Sequence, residues 1–359
     1  MNWDDYSKKF ITRAKDYKLS GEKINEHLIY AKVLHSKRLP IIFNKYHLSQ
    51  LVGYKFNYID RAIQHTYYFY RHYYIIKKNG KKRPISEPLP SLKEIQHWIL
   101  CEILNKCPIS KYSKAYVKGR SIKSNAYFHK NKKFVLSIDI NDFFGSIKKN
   151  EILLLFQNMG YNQEVSETLS GICTLNGSLP QGAPTSPYLS NLIFKKIDDQ
   201  ISQFCRSKNI NYTRYSDDLT FSGDKNIFGV INFTNERFKE NGFSINQDKL
   251  RTRRKNESQE VTGILVNEKL QAPKITRKYF RQATYYIRKF GLTSHLDYTE
   301  NKRKNSIQHL IGIGNFINYI NPKDTSSKKN LVFLKKIYKE TKTPSITDNK
   351  EHKIITLFN

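Results

Sequence analysis

The stretch Asn211-Tyr-Thr-Arg-Tyr-Ser-Asp-Asp-Leu-Thr-Phe-Ser222 alternates around a short polar centre. Alternation of period two marks a strand, so the spacing predicts two strands joined by a tight turn at Tyr215-Ser216-Asp217-Asp218. Upstream, Phe134-Val-Leu-Ser-Ile-Asp-Ile140 is a short apolar run with one acid, Asp139, near its end, and it reads as a buried strand. Between the two lie a helical stretch at Lys149 to Met159, a Pro/Gly loop at Leu179 to Pro187, and a second helix at Tyr188 to Phe204. Beyond them, Phe228 to Asn241 reads as helix, and Phe243 to Leu250 leads to another strand. This order is what an antiparallel sheet backed by helices needs, so the expected class is α+β.

Working outward, residues 1 to about 75 read as mostly helical. Tyr73-Tyr-Ile-Ile76 and the segment through Pro84-Ile85 form a predicted hairpin, with Asn79-Gly80 as its turn and a densely basic tip. Helical spacing returns from Leu92 to Leu104. From about Lys269 the chain is basic and again helical: Ile275 to Phe290 carries Arg277, Lys278, Arg281, Arg288 and Lys289, and Ser306 to Ile320 carries an apolar face. Past Lys323 the chain is rich in Lys, Ser and Thr and is expected to be partly mobile.

Composition bounds the partners. The 359 residues suit two or three subdomains rather than one small core. Lys plus Arg number 62 against 31 Asp plus Glu, a net charge of +31, which attracts phosphate backbones and releases their counterions. A ribosomal or membrane-surface protein is the plainer reading of such charge. The 24 Tyr and 21 Phe often stand beside cations, as in Tyr67 to Tyr74, where rings can stack bases, although most are expected to be core. Four cysteines without a CxxC pair, a polar N-terminus and no apolar run longer than Ile152 to Phe156 point to a reducing cytoplasm, with no zinc, disulfide or membrane span.

Phosphoryl transfer to a sugar hydroxyl uses two divalent cations, and hard cations want carboxylates on rigid backbone. Asp139, Asp217 and Asp218 can supply them if the two strands are neighbours. Successive strand side chains face opposite ways, which ranks Asp217 above Asp218 as a ligand. Alone, an Asp-Asp pair is usually just a turn.

Three strings change that. Ser137-Ile-Asp-Ile-Asn-Asp-Phe-Phe144, Leu179-Pro-Gln-Gly-Ala-Pro-Thr-Ser-Pro187 and Tyr215-Ser-Asp-Asp218 occur in this order. Together they resemble the reverse transcriptases: the first metal-binding motif, the LPQGxPxSP loop and the YxDD box. The resemblance implies a right-hand polymerase. An N-terminal helical region (1–75) leads into fingers (76–135). The palm is 136–268, with 145–190 partly returning to the fingers, then a helical basic thumb (269–345) and a tail (346–359). It makes Asp139, Asp217 and Asp218 the catalytic triad, holding two Mg²⁺ ions that Mn²⁺ can replace, with the Ile140 backbone as a further metal contact. Phe144 matches the aromatic gate against a ribose 2′-hydroxyl, a clash with the wrong substrate. Arg83, Gln181, Gly182 and Lys249 complete the implied deoxynucleotide site, with Lys249 placed to protonate pyrophosphate. Ser216 stands where many relatives carry alanine.

Two further strings resemble the bacterial retron enzymes: Asn125-Ala-Tyr-Phe-His129, an NAxxH motif expected on one helical face, and Val261-Thr-Gly263, a VTG motif. Retron membership implies a cognate structured noncoding RNA, priming from a guanosine 2′-hydroxyl, and a branched multicopy single-stranded DNA product. It also implies a part in phage defence with a separately encoded effector, since too little chain remains after the thumb for effector or nuclease domains. Asn125, His129, Val261, Thr262, Gly263, Lys274, Arg277, Lys278, Arg281 and Arg288 are the implied RNA contacts. The rival readings are a group II intron-like or abortive-infection reverse transcriptase, an RNA-dependent RNA polymerase, which Phe144 opposes, and a non-catalytic RNA-binding protein on a polymerase scaffold.

Overall fold

A computed structural model describes residues 2–77, 80–225, 227–300, 303 and 305–340. The chain divides into two compact units, 1–121 with 136–252, and 122–135 with 253–359. Residues 122–135 and 253–268 thus group with the C-terminal helices.

The N-terminal region is helical, as α1 (Trp3–Asp16), α2 (Gly21–Ser36), α3 (Lys45–Val52) and α4 (Phe56–Gln64). Side chains of Asn2, Ser20 and Asn44 cap the first three by accepting from early helical N–H groups. A hairpin follows, β1 (Tyr70–Ile76) and β2 (Lys82–Pro88), in register from Tyr70↔Pro88 to Ile76↔Lys82. It starts three residues earlier than the spacing predicts. Of the expected turn pair, Gly80 lies at φ +77°, and Asn79 falls outside the described residues. Helix α5 (Pro90–Glu102) begins on a proline, whose fixed φ suits a first turn. After it come α6 (Ile122–Tyr127) and β3 (Phe134–Asp139).

The chain continues through α7 (Phe143–Ser146), α8 (Lys149–Met159), α9 (Gln163–Cys173), α10 (Ser186–Ile193) and α11 (Lys195–Ser207). Then come β4 (Asn211–Tyr215), β5 (Asp218–Gly223), α12 (Gly229–Glu240) and β6 (Arg251–Arg254). The sheet order is β4-β5-β3-β6. Phe143, Phe194, Phe238 and Phe243 pack as a ring cluster with centroids 5.2–6.2 Å apart.

Two expectations need correcting here. The helix expected over Tyr188 to Phe204 is two helices, α10 and α11, meeting at Phe194. Helix α9 has no counterpart in the sequence reading. It is buried on nearly every side, small polar Ser166, Thr168 and Ser170 included, so no amphipathic stripe announces it.

In the second unit, β7 (Glu260–Val261) and β8 (Ile264–Leu265) form a short hairpin, followed by α13 (Lys274–Phe290), α14 (Leu292–Tyr298), α15 (Ser306–Ile320) and α16 (Thr325–Glu340). The stretch past Lys323, expected to be partly mobile, is helix as far as Glu340. Asp324 Oδ1 accepts from Ser327 N at 3.0 Å, and Leu331 and Leu334 join a core with Phe280, Ile287, Leu310 and Ile317. Leucines three apart among lysines suffice for one buried face. The tail, with residues 341–345 of the expected thumb, lies outside the described residues. No helix of the described residues is long and apolar enough to cross a membrane.

Candidate active site

The sheet order places β5 beside β3, and so brings Asp139 to the Tyr215–Asp218 turn. Ile140 N donates to the Asp217 carbonyl at 2.8 Å, tying the two segments directly. Tyr215 pairs with Asp218 across a two-residue loop. Ser216 takes φ +62°, the only positive value in the loop, which is the type II′ pattern suited to strand twist. Asp217 therefore sits in the turn and Asp218 begins β5.

Asp217 and Asp218 are part-buried. Burial pushes the Asp217 carboxyl up from its ordinary range, and the charge of Asp139 adds to the rise; Lys249 and Arg83 act the other way. Asp218 is pushed up to about 7, first by burial, then by Asp217 and Asp139. The three acids thus feel one another, and Arg83, exposed on the β2 hairpin, is near enough to act on Asp217.

Asp139 has its own partner. Lys249 Nζ donates to Oδ1 at 2.9 Å and Oδ2 at 2.8 Å, and Asn246 Nδ2 donates to Oδ2 at 3.2 Å. The turn at Gln247–Lys249 carries this lysine back to β3, where Asn246 N also donates to the Asp139 carbonyl at 2.8 Å. Among the described residues no three His, Cys, Asp or Glu side chains stand close enough to share a metal ion. The donor set nonetheless fits divalent cations. Asp139, Asp217 and Asp218 offer hard carboxylate oxygens, and burial first, then neighbouring carboxylate charge, raises Asp217 and Asp218.

The flanking residues separate by burial. Phe143 is buried in the ring cluster, whereas Phe144 is only partly covered. Gln181 is partly covered, and its carbonyl accepts from Ser86 N at 2.8 Å. Gly182 takes φ +127°, and a Cβ there would stand 2.7 Å from the Ser86 carbonyl oxygen. Its close approach is to the β2 backbone, which couples the LPQG loop to the hairpin bearing Arg83. Tyr116 is a residue sequence reasoning missed: its hydroxyl lies 3.0 Å from Ser216 Oγ, at φ +61°. Nothing in the local sequence signals it.

The expected RNA contacts split as well. Asn125 and His129 have no exposed surface, and Val261 is buried too. Helix α6 ends at Tyr127, so His129 lies beyond it rather than on a shared helical face. Asn125 Nδ2 donates to Thr262 Oγ1 at 3.4 Å, and Ala126 packs with Val261, Ile264 and Val266. Thr262 and Gly263, at φ +47° and +78°, are the central residues of a type I′ turn. The two motifs thus form one folded piece, with burial taking three of their residues out of direct reach of a ligand. On α13, Lys274, Lys278, Arg281 and Arg288 are exposed, and Arg277 is half-buried with Nε donating to the Ala272 carbonyl at 3.0 Å.

The reverse transcriptase (RNA-dependent DNA polymerase) family profile matches residues 75–266, which contain every element of this carboxylate site. The chain is 34% identical over 239 residues to the retron Ec86 reverse transcriptase of Escherichia coli, covering 66% of this chain and 75% of that one. The chain belongs to the retron reverse transcriptases. This reverse transcriptase is also 31% identical over 283 residues to the retron Mx162 reverse transcriptase of Myxococcus xanthus, covering 69% of this chain and 57% of that relative. The match therefore spans little over half of the Mx162 protein. Among solved structures, a telomerase from Candida albicans aligns over 77% of the retron enzyme's chain and 64% of its own, at 11% identity and a TM-score of 0.45. As a family member the chain is an RNA-directed DNA polymerase on a right-hand, helix-plus-antiparallel-sheet fold.

Proposed function

We propose that this enzyme binds its own structured noncoding RNA, primes from a guanosine 2′-hydroxyl, and copies the adjacent RNA into branched single-stranded DNA. The observation that carries the reading is the meeting of Asp139 with the Tyr215–Asp218 turn. Asp139, Asp217, Asp218 and the Ile140 carbonyl would hold two Mg²⁺ ions. Such ions lower the pKa of the attacking hydroxyl and neutralise charge on the leaving pyrophosphate.

The chain's own residues then divide the work. Arg83 offers a planar fork to the triphosphate, a geometry suited to paired phosphate oxygens. Phe144 fills the space a 2′-hydroxyl would need. Gln181 and Gly182 set the floor beside the incoming base, held to β2 through Ser86. Lys249, paired with Asp139, would offer its ammonium to a pyrophosphate oxygen once that carboxylate takes another partner. The exposed cations of α13 grip RNA phosphates, while the Thr262-Gly263 turn presents backbone to the RNA. The reading includes a cytoplasmic setting, a separately encoded effector and a role in phage defence, as the retron resemblance implies.

The test is to express the chain with its neighbouring noncoding RNA and sequence the nucleic acid that copurifies. A DNA joined 2′–5′ to an internal guanosine, lost in Asp217→Asn, is expected. Linear DNA without a branch would overturn the priming claim, and a preference for ribonucleotides would overturn the gate.

A further inference from the structure

The Tyr215–Asp218 turn is mounted on Arg214, the largest side chain in the described residues with no exposed surface. The guanidinium donates to Asp198 twice, Nε to Oδ1 at 2.9 Å and Nη2 to Oδ2 at 2.8 Å. Both side chains are 0% exposed. Its Nη1 donates to Asn191 Oδ1 at 3.1 Å and to the Ser216 carbonyl at 3.0 Å. Asn191 is fixed in turn: its Nδ2 donates to the Ala115 carbonyl at 3.0 Å, and its Oδ1 accepts from Ser113 Oγ at 2.7 Å. Tyr212 donates its hydroxyl to Asp198 Oδ1 at 2.6 Å. The guanidinium face lies 4.6 Å from the Phe194 ring centroid and 5.8 Å from that of Phe143.

A buried ion pair is a poor device for stability, because apolar side chains of similar volume often serve as well or better. What a buried arginine supplies is direction: a planar fork whose N–H vectors are fixed once two of them are engaged. Here Asp198 engages Nε and Nη2, which aims Nη1 at both Asn191 Oδ1 and the carbonyl immediately before Asp217. That residue, Ser216, holds a left-handed backbone that a serine adopts only under constraint.

We propose that Arg214, aimed by Asp198 and Asn191, is the positioning residue of the catalytic turn, setting where Asp217 and Asp218 stand relative to Asp139. The inference rests on the reading of that turn as catalytic. It adds a residue that touches neither substrate nor metal.

The test replaces the buried network as a set, Arg214→Met with Asp198→Leu and Tyr212→Phe, so that no charge or hydroxyl is left unpartnered. The full chain is titrated for active sites, and single-nucleotide incorporation is followed on a preannealed RNA template and DNA primer. The expected result is a folded protein with KM for deoxynucleotide within a few-fold of the parent and kcat per titrated site lower by about 100-fold, the scale of an ångström-level misplacement. Should the set not fold, Arg214→Lys keeps the buried charge pair but loses the fork, and the same split is expected. A kcat per titrated site equal to the parent's, with only the active fraction reduced, overturns the proposal and leaves Arg214 a packing residue. Asp217→Asn separates the two claims. If it retains synthesis, the catalytic reading of the turn falls; if it abolishes synthesis while the replaced set runs at the parental rate, only Arg214's role falls.

Discussion

The carboxylate site and the Asn125–Thr262 clasp are both built from short motifs, yet they are opposite kinds of structure. At the first, burial raises the Asp217 and Asp218 carboxyls, and the charge of the neighbouring acids adds to the rise. At the second, Asn125, His129 and Val261 are buried around a hairpin turn. The difference teaches that a family signature can mark either the groups of a site or the packing around a turn, and burial tells which.

Substitutions can break or sharpen that contrast. Asp217→Asn should abolish DNA synthesis, a loss on the order of 1,000-fold or more for removal of a metal-binding carboxylate, while a filter-binding assay still detects RNA. Retained synthesis would end the carboxylate reading. Phe144→Ala should relax the discrimination between deoxy- and ribonucleotide by about 100-fold in the ratio of kcat/KM values, since a packed pocket that loses a ring loses its clash. Unchanged discrimination would make Phe144 a core residue.

Stability should move the other way at the acids. With a folded-state pKa of about 7 against 3.8 unfolded, Asp218 contributes stability below pH 4 that is lost as pH rises through 7. Asp218→Asn should therefore raise the melting temperature in chelator at pH 8, by about 2 kcal/mol of stability, and the gain should vanish at pH 4. A lower melting temperature at pH 8 would show that the site is not charge-strained. At the clasp, Gly263→Ala meets open space but a φ of +78°, so calorimetry should show a loss of about 1 kcal/mol from strain alone. Lys249→Met should change stability least, by under about 0.5 kcal/mol, because the ammonium is half-exposed. Its effect should appear in kcat, and a parental kcat would remove the lysine from the reaction.

Much of the site was legible beforehand. Asp139, Asp217 and Asp218 are readable as a set because three strings in order resemble the family's motifs, while alternation gave only the strands that carry them. Phe144 against Phe143 was a matter of which ring stays uncovered, and the structure separates them. Gly182 was legible as a point of close approach but not for what approaches it, since Ser86 lies almost a hundred residues away. Tyr116 and the Asp198–Arg214–Asn191 network were illegible: a buried arginine and an exposed one look alike in a sequence, and only the contacts made across the fold tell them apart. Helix α9 was missed for a related reason, since a helix buried on most sides carries no stripe.

Residue order alone carried the family resemblance, and with it the candidate acids, gate and phosphate-binding cations, together with the net charge that draws nucleic acid. Those follow from local pattern and composition, which need no partner to be recognised. Tertiary structure settled who holds whom, namely Lys249 on Asp139, Arg214 under Ser216, and Asn125 beside Thr262. Such pairings depend on distances between residues far apart in the chain, and no local rule of spacing contains them.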